Sequence, residues 1–179
     1  MMRDSATLRR MELHGRQVAL RPVAPADAPA LAAILAEPSV ARWWGTFGLA
    51  RVEADLAGGH PDEEGFAILV DGVCVGYIQA VEETEPDFRH AGIDLFLATA
   101  VQGRGLGPDA IRTLATHLID DRGHHRLTID PAADNEAAIR AYTKVGFRPV
   151  GVMRAYQRMA DGQWVDALLM DLLAEELVR

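Results

Sequence analysis

The chain has 179 residues, 49% of them apolar, a net charge of −8 and one cysteine, Cys74. That length and apolar content suit one domain with its own core, and a lone cysteine excludes an intramolecular disulfide and a multi-cysteine zinc site. The acidic balance argues against nucleic acid and favours a cationic partner; no apolar run reaches the ~20 residues of a membrane span, and a reducing cytoplasm fits the cysteine usage.

Residues 1–14 read as a flexible charged tail without the apolar core of a secretory signal, and residues 15–179 as the folded domain. "QVALRPV" (17–23) reads as a strand. "APADAPALAAILAE" (24–37) reads as a helix with Asp27 in its first turn and Pro38 past its end. Residues 38–59 form a short helical region with a glycine-marked turn. "GFAILVD" and "VCVGYIQAVE" flank Asp71-Gly72, which predicts a hairpin. The acidic stretch "EETEPDFRH" (82–90) reads as a loop, and "AGIDLFLATAV" (91–101) as an apolar strand. Residues 108–122 carry Ala110, Ile111, Leu114, Ala115, Leu118 and Ile119 on one helical face. "RLTID" (126–130) is a short strand, and "DNEAAIRAYTKVG" (134–146) a helix capped by Asp134 or Asn135 and stopped at Gly146. "FRPVGVMRAYQRM" and "QWVDALLMDLL" make a last strand pair around Asp161-Gly162. The order β-α-α-β-β-β-α-β-α-β-β predicts a single mixed α/β sheet. The six histidines lack metal spacing and read as surface or capping residues, and Cys74 as a small core residue.

The stretch Gln102-Gly103-Arg104-Gly105-Leu106-Gly107-Pro108 joins the apolar strand to the amphipathic helix. Glycine costs backbone entropy but lets a ligand approach the main chain, and the unpaired N–H groups of a first helical turn attract anions. Pro108 suits the first helical position. A dinucleotide fingerprint fails because position 108 is proline, and a nucleotide P-loop fails because no Lys-Ser/Thr pair follows. A turn that merely packs strand against helix stays open as the alternative. Asp94 is a carboxylate inside the apolar run "GIDLFLA". Desolvation there raises a carboxyl's pKa and suits it to accept a proton from an ammonium group; a strand-edge Asp facing solvent is the other reading.

The pattern Q-x-x-G-x-G at 102–107 and the later N-x-x-A-x-x-x-Y-x-x-x-G-F, met by Asn135, Ala138, Tyr142, Gly146 and Phe147, resemble motifs of the GNAT superfamily of acetyl-CoA-dependent N-acyltransferases. The resemblance covers about residues 15–173. It implies a single-domain GNAT fold with a mixed, mostly antiparallel sheet of about seven strands and about four helices. It implies acetyl-CoA as co-substrate, no metal, and direct attack of a neutral amine on the thioester. Gln102, Gly103, Arg104, Gly105, Leu106, Gly107 and Pro108 would hold the diphosphate, and Asn135 and Ala138 the pantetheine arm. A backbone N–H of Phe96 or Leu97 would polarise the thioester carbonyl. Asp94 would serve as base and Tyr142 as the acid for the leaving thiolate.

"VARWWG" (40–45), "VGYIQ" (75–79), "GIDLFLATAVQGRGLG" (92–107) and "DPAADNEAAIRAYTKVGF" (130–147) together resemble the aminoglycoside 6′-N-acetyltransferases. That resemblance implies a polycationic acceptor bordered by Trp43 or Trp44, with Gln79, Asp94, Asp130 and Asp161 at the substrate. Taken alone, Asp130-Pro131 is also an ordinary strand-ending turn and Asp161-Gly162 an ordinary hairpin turn. The 82–90 loop is shorter than in that subgroup and lacks its tryptophans, although Glu82, Glu83, Glu85 and Asp87 keep the charge. Rival readings are a siderophore-lysine acyltransferase, a ribosomal-protein N-terminal acetyltransferase and a non-catalytic acetyl-CoA-binding domain. The chain reads as a monomer or homodimer.

Overall fold

A computed structural model of the chain describes residues 11–45, 47–57, 63–159 and 161–179. Residues 1–10 of the expected tail, and Gly58, Gly59 and His60, lie outside the described residues. Eight strands form one sheet: β1 (Leu13–His14), β2 (Ala19–Pro22), β3 (Glu63–Val70), β4 (Val73–Glu83), β5 (His90–Leu97), β6 (Arg126–Ile129), β7 (Arg148–Arg158) and β8 (Trp164–Leu173), in the order β1-β2-β3-β4-β5-β6-β8-β7. Every neighbouring pair is antiparallel except β5 with β6. Among the described residues five α-helices accompany it: α1 (Ala28–Leu35), α2 (Pro38–Trp44), α3 (Leu49–Asp55), α4 (Leu106–Thr116) and α5 (Glu136–Thr143).

The additional strand is β1, which pairs Leu13 with Leu20 and so starts the sheet inside the stretch expected to be tail. The additional helix arises because Gly45, at φ 80°, ends α2 and divides the 38–59 region into α2 and α3. The β3–β4 hairpin turns on Asp71 (φ 50°) and Gly72 (φ 77°), the left-handed pair that a twisted two-residue connection demands.

Strand alternation divides the core. Ile78 and Ala80 of β4 point to α4, where Ala110, Ile111, Leu114, Ala115 and Leu118 are buried as the helical period requires. Tyr77 of β4 and Phe96 of β5 point the other way, to Leu31, Leu35, Val40 and Val52 of α1–α3. Gln79 and Asp94 are cross-strand partners one step along from the Tyr77–Phe96 pair, and hence lie on this second face.

Buried polar groups tie distant segments together. Asp109, 3% exposed, accepts the backbone N–H groups of Arg16 (3.2 Å), Gln17 (2.7 Å) and Val18 (3.2 Å). This anchors the start of β2 to α4 and leaves no room for a side chain at Gly15, whose Cβ would stand 2.6 Å from Asp109 Oδ2. A second group corrects the expectation for two histidines. His117 and His124, read as surface or capping residues, are each 2% exposed. His117 lies in the π-helical turn His117–Asp121 that continues α4. His124 Nε2 bonds Glu82 at 2.8 Å, Arg122 bridges Glu82 (2.5 Å) and Glu64 (3.3 Å), and His117 Nδ1 lies 2.9 Å from Asp121. Burial alone would lower the His117 pKa, but the Glu64 and Asp121 carboxylates outweigh it and raise it.

No helix among the described residues is long and apolar enough to cross a membrane.

Candidate active site

The sheet forks between β5 and β6. They pair at two rungs only, Ala91 with Leu127 and Gly92 with Thr128. β5 continues along β4 to Leu97, while β6 ends at Ile129 and the chain turns at Pro131 toward β8. Leu168 N donates to Pro131 O (2.9 Å), and Ala132 bridges Ala167, which holds that departure in place. The fork opens a cleft of about 660 Å³. Asp94–Leu97 line one wall and Ile129–Ala132 the other. The glycine turn, α2 and α5 supply the rest.

At the glycine turn, Gly103 (φ 74°) and Gly105 (φ 84°) are left-handed, a conformation that strains any residue with a Cβ. Gly105 is the N-cap of α4, and the helix begins at Leu106, two residues earlier than expected. Pro108 is therefore the third helical residue, not the first; it remains in the first turn, where no N–H has an intrahelical acceptor. Gln102 donates its side-chain amide to Leu97 O (2.9 Å) and pins the turn to the end of β5. Gln102, Gly103, Gly105, Gly107 and Pro108 line the cleft; Arg104 and Leu106 do not, and Leu106 is a core residue, 3% exposed.

The register decides which amides of β5 face the fork. Ala98 N bonds Val75 O across β4, so residues 94 and 96, in step with it, also turn their N–H groups to β4. The carbonyls of Leu95 and Leu97 point away from β4, to Trp44 Nε1 (3.2 Å) and to Gln102. Of the two amides proposed from sequence, the Leu97 N–H faces the fork and the Phe96 N–H does not; Leu95 joins Leu97.

Asp94 lies at the cleft wall with Gln79 as its cross-strand neighbour, and Gln79 Oε1 accepts from Tyr77 OH (3.1 Å). Burial, and next the charge of Asp130, push the Asp94 pKa up to about 6. An aromatic wall backs this acid: Trp44 meets Phe96 edge-on at 5.0 Å, and Phe96 stacks on Tyr77 at 5.8 Å. Trp43 lines the same cleft and carries the Arg42 guanidinium over its ring at 4.4 Å. Tyr142 enters from α5. Burial first, then the charges of Asp94 and Asp130, raise its pKa above that of an ordinary phenol, so it keeps its proton at neutral pH.

Asn135 caps α5, its Oδ1 accepting from Ala138 N at 3.2 Å. Both residues line the cleft, but the Ala138 N–H is committed to the cap. Asp161 does not line the cleft. Its carboxylate accepts from Gln163 N (3.0 Å) and closes the β7–β8 turn. The sequence reading missed Tyr156, whose pKa is pushed up to about 12, first by the Asp130 carboxylate. It also missed Ser39, Arg140, Lys144 and Gln157 of the cleft lining. No local motif marks them: they meet through folding alone.

A family model for the acetyltransferase (GNAT) domain matches residues 17–148. The chain belongs to the GNAT acetyltransferase family. Among GNAT relatives, it is 35% identical over 100 residues to the aminoglycoside N(6′)-acetyltransferase type 1 of Klebsiella pneumoniae, 49% of this chain and 49% of that protein. The chain thus spans about half the length of the curated relatives it matches first. Among solved GNAT structures, Mycobacterium smegmatis RimJ in complex with CoA-disulfide superposes with TM-score 0.80 at 26% identity, over 95% of this chain and 90% of that one. AAC(6′)-Ib in complex with ribostamycin and coenzyme A superposes with TM-score 0.75 at 28% identity, over 89% of this chain and 95% of that one.

Proposed function

We propose that the chain transfers an acetyl group from acetyl-CoA to a primary amine of a polycationic small molecule, with the 6′-amine of an aminoglycoside as the favoured acceptor. One observation carries this reading: Asp94 and Asp130 face a single cleft beside a glycine turn, and the described residues form no ion pair with either. Such a pair of acids lacks only cations, and an aminoglycoside supplies them. The similarity to an aminoglycoside N(6′)-acetyltransferase points to the same acceptor.

In this reading the amides around residues 103–108 and the positive end of α4 hold the diphosphate of coenzyme A. The amides of Leu95 and Leu97 stand where the thioester oxygen gains charge. Asp94, with a pKa of about 6, is ionised at neutral pH and takes a proton from the substrate ammonium, directly or through water, which frees the neutral amine to attack. Tyr142 gives its proton to the departing thiolate. Asp130 holds a second ammonium, and the Trp43–Trp44 wall covers the sugar face. Cytoplasmic location and the remaining partners belong to this reading as well.

Similarity to the N-alpha-acetyltransferase RimI of Mycobacterium tuberculosis, 34% identical over 91 residues, favours a second acceptor, the N-terminal amine of a protein. One experiment separates the two: steady-state thiol release from acetyl-CoA with kanamycin, tobramycin or a short peptide bearing a free N-terminus. Turnover on the aminoglycosides supports the first reading; turnover on the peptide alone transfers the assignment to the second. Saturable acetyl-CoA binding without turnover on any amine would leave a binding domain.

A further inference from the structure

Helix α2 is tied at its two ends to different parts of the cleft. At its start, Glu37 accepts from Thr99 N at 2.6 Å, a few residues before the glycine turn. At its end, Gln157 of β7 donates from Nε2 to Trp43 O at 2.7 Å, across 114 residues of sequence. The last four carbonyls of a helix lack intrahelical partners, and in this seven-residue helix Trp43 O is among them. A side chain from a distant strand thus closes the helix.

Gln157 is in place because β7 is irregular. Met153 pairs with Ala167, so an unbroken antiparallel register would set Ala155 opposite Val165. Gln157 stands there instead, and two extra residues are taken up in between. Within that bulge Ala155 adopts φ 48°, a left-handed conformation that a residue with a Cβ resists. Asp166 Oδ1 holds it by accepting from Ala155 N at 2.8 Å. Strain of this kind persists where surrounding bonds over-determine it, and it clusters at functional sites. Gln157 and Trp43 both line the cleft that holds Asp94 and Asp130. Trp44 is fixed separately, by its own bond to Leu95 O (3.2 Å). A further tie at this end, Arg42 to Asp134 at 3.4 Å, is exposed and weak.

We propose that Gln157 is a positioning residue for the acceptor: brought to the end of α2 by the β7 bulge, it fixes the Trp43 carbonyl and with it the indole against which the acceptor lies. This inference rests on the acetyl-transfer reading above. It makes the β7 bulge a determinant of acceptor choice, while Glu37 anchors the coenzyme end of α2 independently.

The test uses the full chain with kanamycin and acetyl-CoA, and the variants Gln157→Met and Gln157→Lys. Methionine keeps the length of the side chain and lacks the donor; lysine keeps an N–H donor. Losing one hydrogen bond of ordinary strength should raise KM for kanamycin about fivefold in Gln157→Met, with kcat within about twofold of the wild type. Acetyl-CoA affinity, measured by calorimetry, should stay unchanged, because Glu37 still holds the start of α2. An unchanged KM overturns the proposal. So does a loss of acetyl-CoA affinity as large as the rise in KM, the mark of a general packing role. A substrate-free readout is the fluorine NMR spectrum of the chain labelled with fluorotryptophan. The chain has three tryptophans, and the Trp43 line is the one lost in Trp43→Phe. That line should shift in Gln157→Met and return toward its wild-type position in Gln157→Lys. If the wild type acetylates no aminoglycoside but the line behaves this way, the acceptor assignment falls and the positioning role stands. A line unmoved in Gln157→Met overturns the positioning role itself.

Discussion

Two pairs of acids lie on the same sheet and meet opposite fates. Glu64 and Glu82, on adjacent strands, are both buried against Arg122, with His117 and His124 closing the cluster. Asp94 and Asp130, on opposite walls of the fork, form no ion pair among the described residues. A buried carboxylate without a counter-ion is costly, and the fold removes that cost at one place and keeps it at the other. The difference separates a group that serves the architecture from one that the proposed function assigns to a cationic acceptor.

The sharpest way to break this contrast is Asp94→Asn. Removing a general base should lower kcat about 10³-fold with kanamycin, while calorimetry should find acetyl-CoA binding little changed. Activity that survives would return Asp94 to the structural class. The converse test is Arg122→Ala. It leaves Glu64 and Glu82 without their shared cation and should cost about 3 kcal/mol in urea unfolding. Asp130→Asn, measured alongside, should change stability by less than about 0.5 kcal/mol.

A pH profile sharpens the contrast further. As the proposed base, Asp94 would act only when ionised, so kcat/KM should rise with pH and level off above its pKa of about 6. The smallest effect is on stability, and its sign runs against the activity. The folded state raises the Asp94 pKa from 3.8 to about 6, so across that window it binds the proton more tightly than the unfolded chain. Stability then falls as pH rises through the window, and the penalty is fully present above it. Asp94→Asn should therefore stabilise the protein at pH 8 by about 1 kcal/mol, a rise of roughly 2–4 °C in Tm. The gain should vanish near pH 3.5.

Features that rest on neighbouring residues were legible before any fold was known. Asp71-Gly72 fixes its hairpin within two residues, and the 102–108 run announces a turn that opens a helix because glycine and proline speak through the backbone itself. The carboxylate of Asp94 stood out against its apolar strand. Features that depend on pairing at a distance were not legible. His124 and Arg122 are buried because Glu82 and Glu64 meet them from 42 and 58 residues away. Asp161 shares its dipeptide with countless plain hairpins, and its own turn consumes its carboxylate. Tyr156 escaped notice because the bulge in β7 breaks the two-residue alternation by which a strand declares its faces.

The two-rung junction of β5 and β6 also sets a length. The cleft starts where their pairing stops, so its floor is a matter of registry and not of any side chain. Each further rung zipped between these strands would raise the floor by about 3.3 Å, and each one lost would lower it by the same step. A shift of registry at the strand ends would thus change the depth of the cleft with the acids and the glycine turn left untouched.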